Sequence, residues 1–419
     1  MIMRARTSSF SALARSLGGF TAIQLVGFAA PFIALPVIAR MVGAAEWVHL
    51  ASAQAIGSLT AAVILFGWWT AGPSEYYRRS GKAARALLYR QSVLERAIVA
   101  SVALPISFVV VAMITPPDFL LIAVLANLAM ASYGFTPDWY FIAMRRPAKL
   151  ALYETGPRAF GIVVGVGAIL LTRDIIWYPL TQLVAAAIAY LLMIHLETPR
   201  SSGMTVSLKS GLRNLRSNMP IAASNILGAA YGQLTIPVAS ALATNGALAP
   251  YVAGDKLYKA SRFTIVALGN TLQGWVLSAE TYRRQMFAIS FHIGWGIVGG
   301  SMLAVLTPWA THLLFGSELR VEYSTSIAFG VAFLFASITT PLVRNVLIPH
   351  GRRRLPLVAT ALALTVGLGG IWPFYSAFGV SGIGLAVAAS EFVSAAVNGL
   401  SSIQVLRGVR REGRARPAA

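Results

Sequence analysis

The sequence contains no cysteine, and this absence removes two kinds of structure. Neither a disulfide framework nor a thiolate metal site can form. The five histidines lie far apart, so no local pair of imidazole ligands exists either. We therefore expect no metal site, and we expect no cofactor.

Charged residues are also few: they make up only 11% of the sequence, whereas 57% of the residues are hydrophobic. This composition excludes a soluble domain. Apolar runs of about 20 residues predict membrane-spanning helices, because in lipid a helix satisfies its own backbone groups. The 34 basic residues exceed the 14 acidic ones. Membrane topology explains that excess, so we expect no nucleic-acid partner.

Twelve apolar spans follow one another with only short connections, which leaves no room for a separate catalytic domain. The predicted spans are 16–38, 47–71, 97–115, 119–143, 156–172, 175–196, 219–242, 251–279, 286–311, 324–347, 356–375 and 381–406. They define an N-terminal six-helix half (1–196), a cytoplasmic linker (197–218), a C-terminal six-helix half (219–406) and a basic cytoplasmic tail (407–419).

Most Lys and Arg residues fall in alternate connections, beginning with the N-terminal one. This positive-inside bias places both termini in the cytoplasm. Six is an even number of spans, so the second half enters the membrane in the same orientation as the first. The sequence therefore predicts an all-α polytopic membrane protein of two six-helix parallel repeats around a central cavity.

One apolar run opens with an unusual concentration of charge. The segment Tyr251–Arg262 (YVAGDKLYKASR) contains Asp255, Lys256, Lys259 and Arg262 at the head of a predicted span. A charge inside a membrane costs roughly 2.5–3.5 kcal/mol, so it usually faces a protein interior or a wet cavity. The alternative is that the cations lie at the headgroup level and snorkel to water.

Several short motifs occur in the order found in one transporter family. These are Pro36–Gly43 (P-x-x-x-R-x-x-G), Pro137-x-Trp139 with the basic end Arg145-Arg146, Tyr251–Leu257, Leu313–Gly316, Leu347–Gly351, and Phe378–Gly382 with Glu391. In this order they resemble the Wzx-type oligosaccharide-lipid flippases of the MOP (multidrug/oligosaccharidyl-lipid/polysaccharide) exporter superfamily. The chain departs from that family at Ala143-Met144, where Gln and Gly are frequent.

The resemblance implies a transporter that moves an undecaprenyl-diphosphate-linked oligosaccharide from the inner to the outer leaflet. Such a lipid supplies O-antigen, capsule or exopolysaccharide biosynthesis at the bacterial inner membrane. The implied partners are the lipid bilayer, this lipid-linked substrate, and polymerase and chain-length enzymes of the same pathway. The implied cycle is alternating access by two rocking halves.

A diphosphate with attached sugars requires cations and polar groups along its path. Lys256, Lys259 and Arg262 are the candidate cations in the predicted cavity, and Arg15 is a candidate at the cytoplasmic mouth. Gln24 and Asn225 lie in mid-span and are further candidates. The alternatives remain open: Arg15 as a topological anchor, and Gln24 and Asn225 as hydrogen-bonding partners of neighbouring helices.

Three carboxylates near the hydrocarbon are candidates for coupling transport to a proton or sodium ion: Asp138, Asp255 and Glu391. Each has a structural alternative as the partner of a cation or of another helix. One charge moving down 100 mV yields roughly 2.3 kcal/mol, which is enough to bias a transport cycle.

Two rival functions remain. A multidrug exporter of the same superfamily is expected to have fewer cations in its pathway and a site of acids and aromatics. A membrane glycosyltransferase or polymerase is expected to carry its catalytic residues in a sizeable outer loop. The outer loops here are short and contain no paired-carboxylate motif, so we expect a transporter and not an enzyme.

Overall fold

The computed structural model describes residues 31, 34–144, 146–197, 207–277, 281–352 and 354–415. These residues form helices joined by short turns, and no strand occurs among them. They fall into two compact units that divide between Ala229 and Ala230. We call them the first and second units. The division falls inside one helix, and the domain limits given above stay predictions.

The first unit begins, within the described residues, with a helical stretch at 34–41. Its further helices are α1 (Ala44–Leu65), α2 (Trp68–Arg78), α3 (Lys82–Ile114), α4 (Leu120–Ala131), α5 (Asp138–Ala143), α6 (Pro147–Leu150), α7 (Gly156–Thr172) and α8 (Trp177–Glu197). The helix α9 (Leu208–Gln233) contains the division between the units.

The second unit continues with six more helices. They are α10 (Thr235–Ser240), α11 (Asn245–Leu277), α12 (Tyr282–Phe315), α13 (Tyr323–Pro341), α14 (Arg354–Phe378) and α15 (Val380–Ala415). Short 3-10 turns cover Pro117–Phe119, Ser132–Phe135 and Ser317–Leu319.

The prediction of an all-α polytopic membrane protein is confirmed. Nine helical stretches among the described residues are long and apolar enough to cross a membrane. The predicted spans 219–242 and 251–279 are helical over most of their described residues, but polar side chains interrupt their apolar character. The predicted span 16–38 lies mostly outside the described residues. The helices are thus consistent with the predicted count of twelve.

Several helices are interrupted within or beside the predicted spans. Phe66 (φ 44°) and Gly67 (φ 82°) adopt left-handed conformations between α1 and α2, which ends one helix and starts the next. Two segments, Ala151–Thr155 and Leu342–Leu347, form π-helix. The second follows Pro341 directly. Such π segments free backbone carbonyls and recur at functional sites.

Small residues allow one close helix contact in the second unit. A Cβ atom added to Gly300 on α12 would lie 2.6 Å from the carbonyl oxygen of Gly330 on α13. The reverse addition, at Gly330, would bring a Cβ against the carbonyl oxygen of Gly300. Close backbone approach through glycine is typical of membrane helix pairs, since lipid offers no hydrophobic drive for association.

Candidate functional site

A polar cavity of about 350 Å³ lies within the second unit. Its wall combines the end of α9, α10, and faces of α11, α14 and α15. The lining residues are Tyr231, Gly232, Gln233, Thr235, Asp255, Tyr258, Lys259, Arg262, Phe263, Val266, Leu364, Gly367, Leu368, Val387, Ser390 and Glu391. It therefore places charged side chains inside a bundle of largely apolar helices.

One face of α11 supplies most of the charge. The cavity-lining positions Asp255, Tyr258, Lys259, Arg262, Phe263 and Val266 follow the spacing of a single helical face. Lys256 does not line the cavity. Each residue turns a helix by about 100°, so Lys256 points well away from Asp255. Residues three apart do not lie directly above one another on a helix. Over the six residues from Lys256 to Arg262 the offset adds up, so these two side chains point in different directions.

Each cation in the cavity contacts a carboxylate. Lys259 Nζ lies 2.9 Å from Asp255 Oδ2, one helical turn away on α11. Arg262 Nη1 lies 2.9 Å from Glu391 Oε1, which belongs to α15. The first pair is therefore local to one helix, whereas the second joins two helices.

Tyrosine and serine hydroxyls complete the polar surface. Tyr258 donates a hydrogen bond to Glu391 Oε1 at 3.3 Å, and its ring stacks on Phe329 with centroids 5.3 Å apart. Ser390 donates to the Tyr231 hydroxyl at 3.2 Å. Guanidinium and ammonium groups bind phosphate oxygens, and hydroxyl groups bind sugars, so the cavity offers both chemistries.

Four of the predicted site residues thus meet in one cavity: Lys259, Arg262, Asp255 and Glu391. Asn225 lies in the first unit, where its amide donates to Thr70 Oγ1 at 3.1 Å and bridges two helices. Arg15 and Gln24 lie outside the described residues.

The remaining coupling candidate, Asp138, lies in the first unit near a second group of charges. Its Oδ1 accepts a hydrogen bond from Thr136 Oγ1 at 2.5 Å. Nearby, Arg158 Nε lies 2.6 Å from Glu154 Oε1, with both side chains almost fully buried. The Arg158 guanidinium also covers the Tyr133 ring at 3.5 Å. Glu154 belongs to the π segment Ala151–Thr155.

Two basic residues of the first unit, Arg96 and Arg158, are buried. Arg96 is fully buried and donates to the backbone carbonyl of Thr136 at 2.9 Å. Arg158 is buried against Glu154. A count of charges between spans does not reveal such burial, because it ignores partners inside the helical bundle.

Trp139, part of the motif Pro137-x-Trp139, is fully buried and packs 5.0 Å from Trp68. A Cβ atom on Gly72 would collide with the Trp139 ring, so α2 and α5 fit together around this indole. This motif residue therefore has a packing role in the first unit.

Several polar residues of the cavity were not predicted from the sequence, among them Tyr231, Tyr258 and Ser390. Tyr258 was detectable, since it lies three residues after Asp255 on the same face. Tyr231 and Ser390 come from helices far away in sequence, and no local pattern distinguishes them from other hydroxyl residues.

A larger cavity of about 690 Å³ lies between α7 and α8 in the first unit. Apolar side chains line almost all of it, including the exposed Phe160, Leu192 and Leu196. It offers no charged group to a polar ligand, so the smaller polar cavity is the better candidate site.

Neither a protein-family model nor a curated protein sequence matches this chain. Solved structures match it by fold. The lipid II flippase MurJ, in an inward closed conformation, gives a TM-score of 0.71 at 12% identity over 93% of this chain and 89% of that chain. An inward-facing multidrug resistance MATE family transporter of the MOP superfamily gives 0.63 at 12% identity over 90% and 99% of the two chains.

A eukaryotic MATE transporter gives a TM-score of 0.59 at 15% identity, covering 96% of this chain and 99% of that chain. These proteins are transporters of the MOP superfamily. At such low identity the likeness concerns the fold alone. The chain therefore has the fold of these membrane transporters.

Proposed function

We propose that this protein is a flippase that moves a polyprenyl-diphosphate-linked oligosaccharide from the inner to the outer leaflet for cell-surface polysaccharide biosynthesis. The observation that supports this most is the polar cavity, in which Lys259 and Arg262 face a space lined with hydroxyl groups. A diphosphate cannot enter hydrocarbon without such partners. The MOP transporter fold supplies the framework.

Within this proposal, Arg262 and Lys259 bind the diphosphate. Tyr231, Tyr258 and Ser390 offer hydrogen bonds to the first sugar. Lys256 is off the cavity face and takes no part in binding. Arg15 at the cytoplasmic mouth remains a proposed contact for the headgroup.

We further propose that both termini lie in the cytoplasm at a bacterial inner membrane. Transport is coupled to a proton or sodium ion at Asp255, Glu391 or Asp138. Polymerase and chain-length enzymes then take up the lipid-linked product. None of these roles requires a catalytic residue in this chain.

A multidrug exporter of the same superfamily is the second candidate. The buried carboxylates Asp255 and Glu391 beside Tyr258 favour it, since acids and aromatics bind organic cations. Both acids, however, are already paired with a cation of the chain. An incoming drug cation would have to displace Lys259 or Arg262, which makes the anionic substrate the better match.

The two candidates are separated by deleting the gene and examining the lipid-linked intermediates. The flippase predicts that a complete oligosaccharide repeat unit accumulates on the inner leaflet, and that the wild-type gene restores export. Unchanged intermediates together with altered drug tolerance would reject the flippase and support the exporter.

A further inference from the structure

The two charged pairs of the polar cavity share one arrangement: the cation faces the cavity and the carboxylate lies behind it. The side chains of Lys259 and Arg262 are 31% and 37% exposed. Those of Asp255 and Glu391 are only 5% and 4% exposed. An anion entering the cavity therefore meets the cations first, and it competes with the carboxylates for them.

The outcome of this competition differs between the pairs. Asp255 is four residues from Lys259 on one helix, so the chain keeps the acid close to its cation when an anion approaches. Glu391 reaches Arg262 from another helix. When Arg262 turns to an anion, Glu391 keeps only its hydrogen bond from the Tyr258 hydroxyl among the contacts of the described residues.

Among the described residues that line the cavity, no replacement cation is left for Glu391. Apart from the two charged pairs, the polar residues of the cavity wall are uncharged: Tyr231, Gln233, Thr235, Tyr258 and Ser390. From α14 the wall is Leu364, Gly367 and Leu368, and the neighbouring Phe392 packs on Phe335. Lys259 is held by Asp255. An unpaired carboxylate in such a place is costly, and a proton removes the cost.

From this geometry, and resting on the function proposed above, we propose that anion binding at Arg262 is linked to uptake of one proton at Glu391. The contact between Arg262 Nη1 and Glu391 Oε1 breaks, and the guanidinium donates to phosphate oxygens instead. Glu391 takes a proton from water. When that proton leaves, Glu391 regains Arg262 and displaces the anion.

The total charge of the cavity and its ligand also favours proton uptake. The empty cavity contains two cations and two carboxylates and is neutral. A diphosphate joined to lipid on one side and sugar on the other brings two negative charges. Protonation of Glu391 removes one of the excess charges that the cavity must bury. Because linkage is reciprocal, lower pH must tighten anion binding.

The test uses the purified full-length protein and a water-soluble citronellyl-diphosphate-linked N-acetylglucosamine. Such a diester has no proton of its own that titrates near neutral pH. Calorimetry between pH 6 and 8, in two buffers of different ionisation enthalpy, measures the protons taken up per bound probe. We expect an uptake approaching one proton, with Kd rising by up to about tenfold per pH unit, or 1.4 kcal/mol.

Two matched variants locate the proton. Glu391→Gln mimics the protonated acid, so it is expected to bind the probe without proton uptake and without pH dependence. Asp255→Asn removes the other cavity carboxylate and is expected to retain the uptake, whatever its affinity. The wild-type measurement tests the linkage even if a variant fails to fold.

Binding by the wild type without proton uptake would overturn this inference and leave the proposed function standing. Loss of uptake in Asp255→Asn, with retention in Glu391→Gln, would also overturn it. Absence of binding at every pH would contradict the proposed anion site itself, and the inference with it.

Discussion

Two arginine–glutamate pairs in the first unit have almost the same contact distance and opposite surroundings. Arg158 lies 2.6 Å from Glu154, and the side chains are 8% and 10% exposed. Arg78 lies 2.7 Å from Glu75, but the Arg78 side chain is 73% exposed. Removing one partner of a buried pair leaves an uncompensated charge, whereas water readily solvates a surface charge.

We therefore predict that Arg158→Ala destabilises the protein by about 3–5 kcal/mol. Arg78→Ala is the matched control and should change stability by no more than about 1 kcal/mol. Thermal unfolding of the detergent-solubilised variants measures both. Equal melting temperatures for the two variants would contradict the structural importance of the buried pair.

The cations of α11 also differ from one another in whether they face the polar cavity. Arg262 faces the polar cavity, while Lys256 lies off that face. In the sequence, Lys256, Lys259 and Arg262 look alike because they are three apart. The helices that pack around α11 decide which of its faces borders the cavity, and those contacts are not visible in a local pattern.

We predict that Arg262→Ala lowers export at least tenfold while the protein still inserts and accumulates. Charge-assisted hydrogen bonds contribute about 1.5–3 kcal/mol, and 1.4 kcal/mol corresponds to a factor of ten. Lys256→Ala is expected to retain export. Surface polysaccharide and membrane-inserted protein are measured together, so a loss of protein is not mistaken for a loss of transport.

At the scale of helices, apolar periodicity and charge-free length were sufficient to place most of the elements. They did not predict the π segments Ala151–Thr155 and Leu342–Leu347. A π segment adds a residue to a helical turn without any characteristic amino-acid composition. Nor did they show which glycines mark helix contacts. Gly300 meets Gly330 across α12 and α13, whereas Gly294 on the same helix has open space around it.

This difference gives a prediction with an internal control. Gly300→Ala would place a methyl group against the Gly330 carbonyl, so the two helices must separate and the melting temperature should fall. Gly294→Ala adds the same atom to the same helix without a clash. It should leave the melting temperature unchanged or raise it, because alanine favours helix by about 1 kcal/mol. A larger loss in Gly294→Ala would contradict the close approach of α12 to α13 at Gly300.

At the scale of the whole molecule, the distribution of basic residues predicts which loops face the cytoplasm. Composition and span length predicted the all-α membrane fold, because both reflect the bilayer as solvent. The polar cavity was predicted in part: its charges were identified on α11 and at Glu391, but the partners of each charge were not. Pairing depends on which helices meet, and that is a tertiary property.

The orientation is testable by labelling with a membrane-impermeant maleimide. The chain has no native cysteine, so a single introduced thiol is measured without background. Ser80→Cys, in the turn between α2 and α3, should react only after the cell membrane is permeabilised. Ser317→Cys, in the turn after α12, should react in intact cells. The reverse pattern would invert the predicted topology.

The buried or cavity-lining ion pairs described above each lie within a single unit. Arg158 with Glu154 belongs to the first, and Lys259 with Asp255 and Arg262 with Glu391 belong to the second. A rigid-body displacement of either unit leaves these distances unchanged. A transport cycle built on such displacements therefore does not by itself break these pairs. The pair that opens, Arg262 with Glu391, opens through anion binding as proposed above.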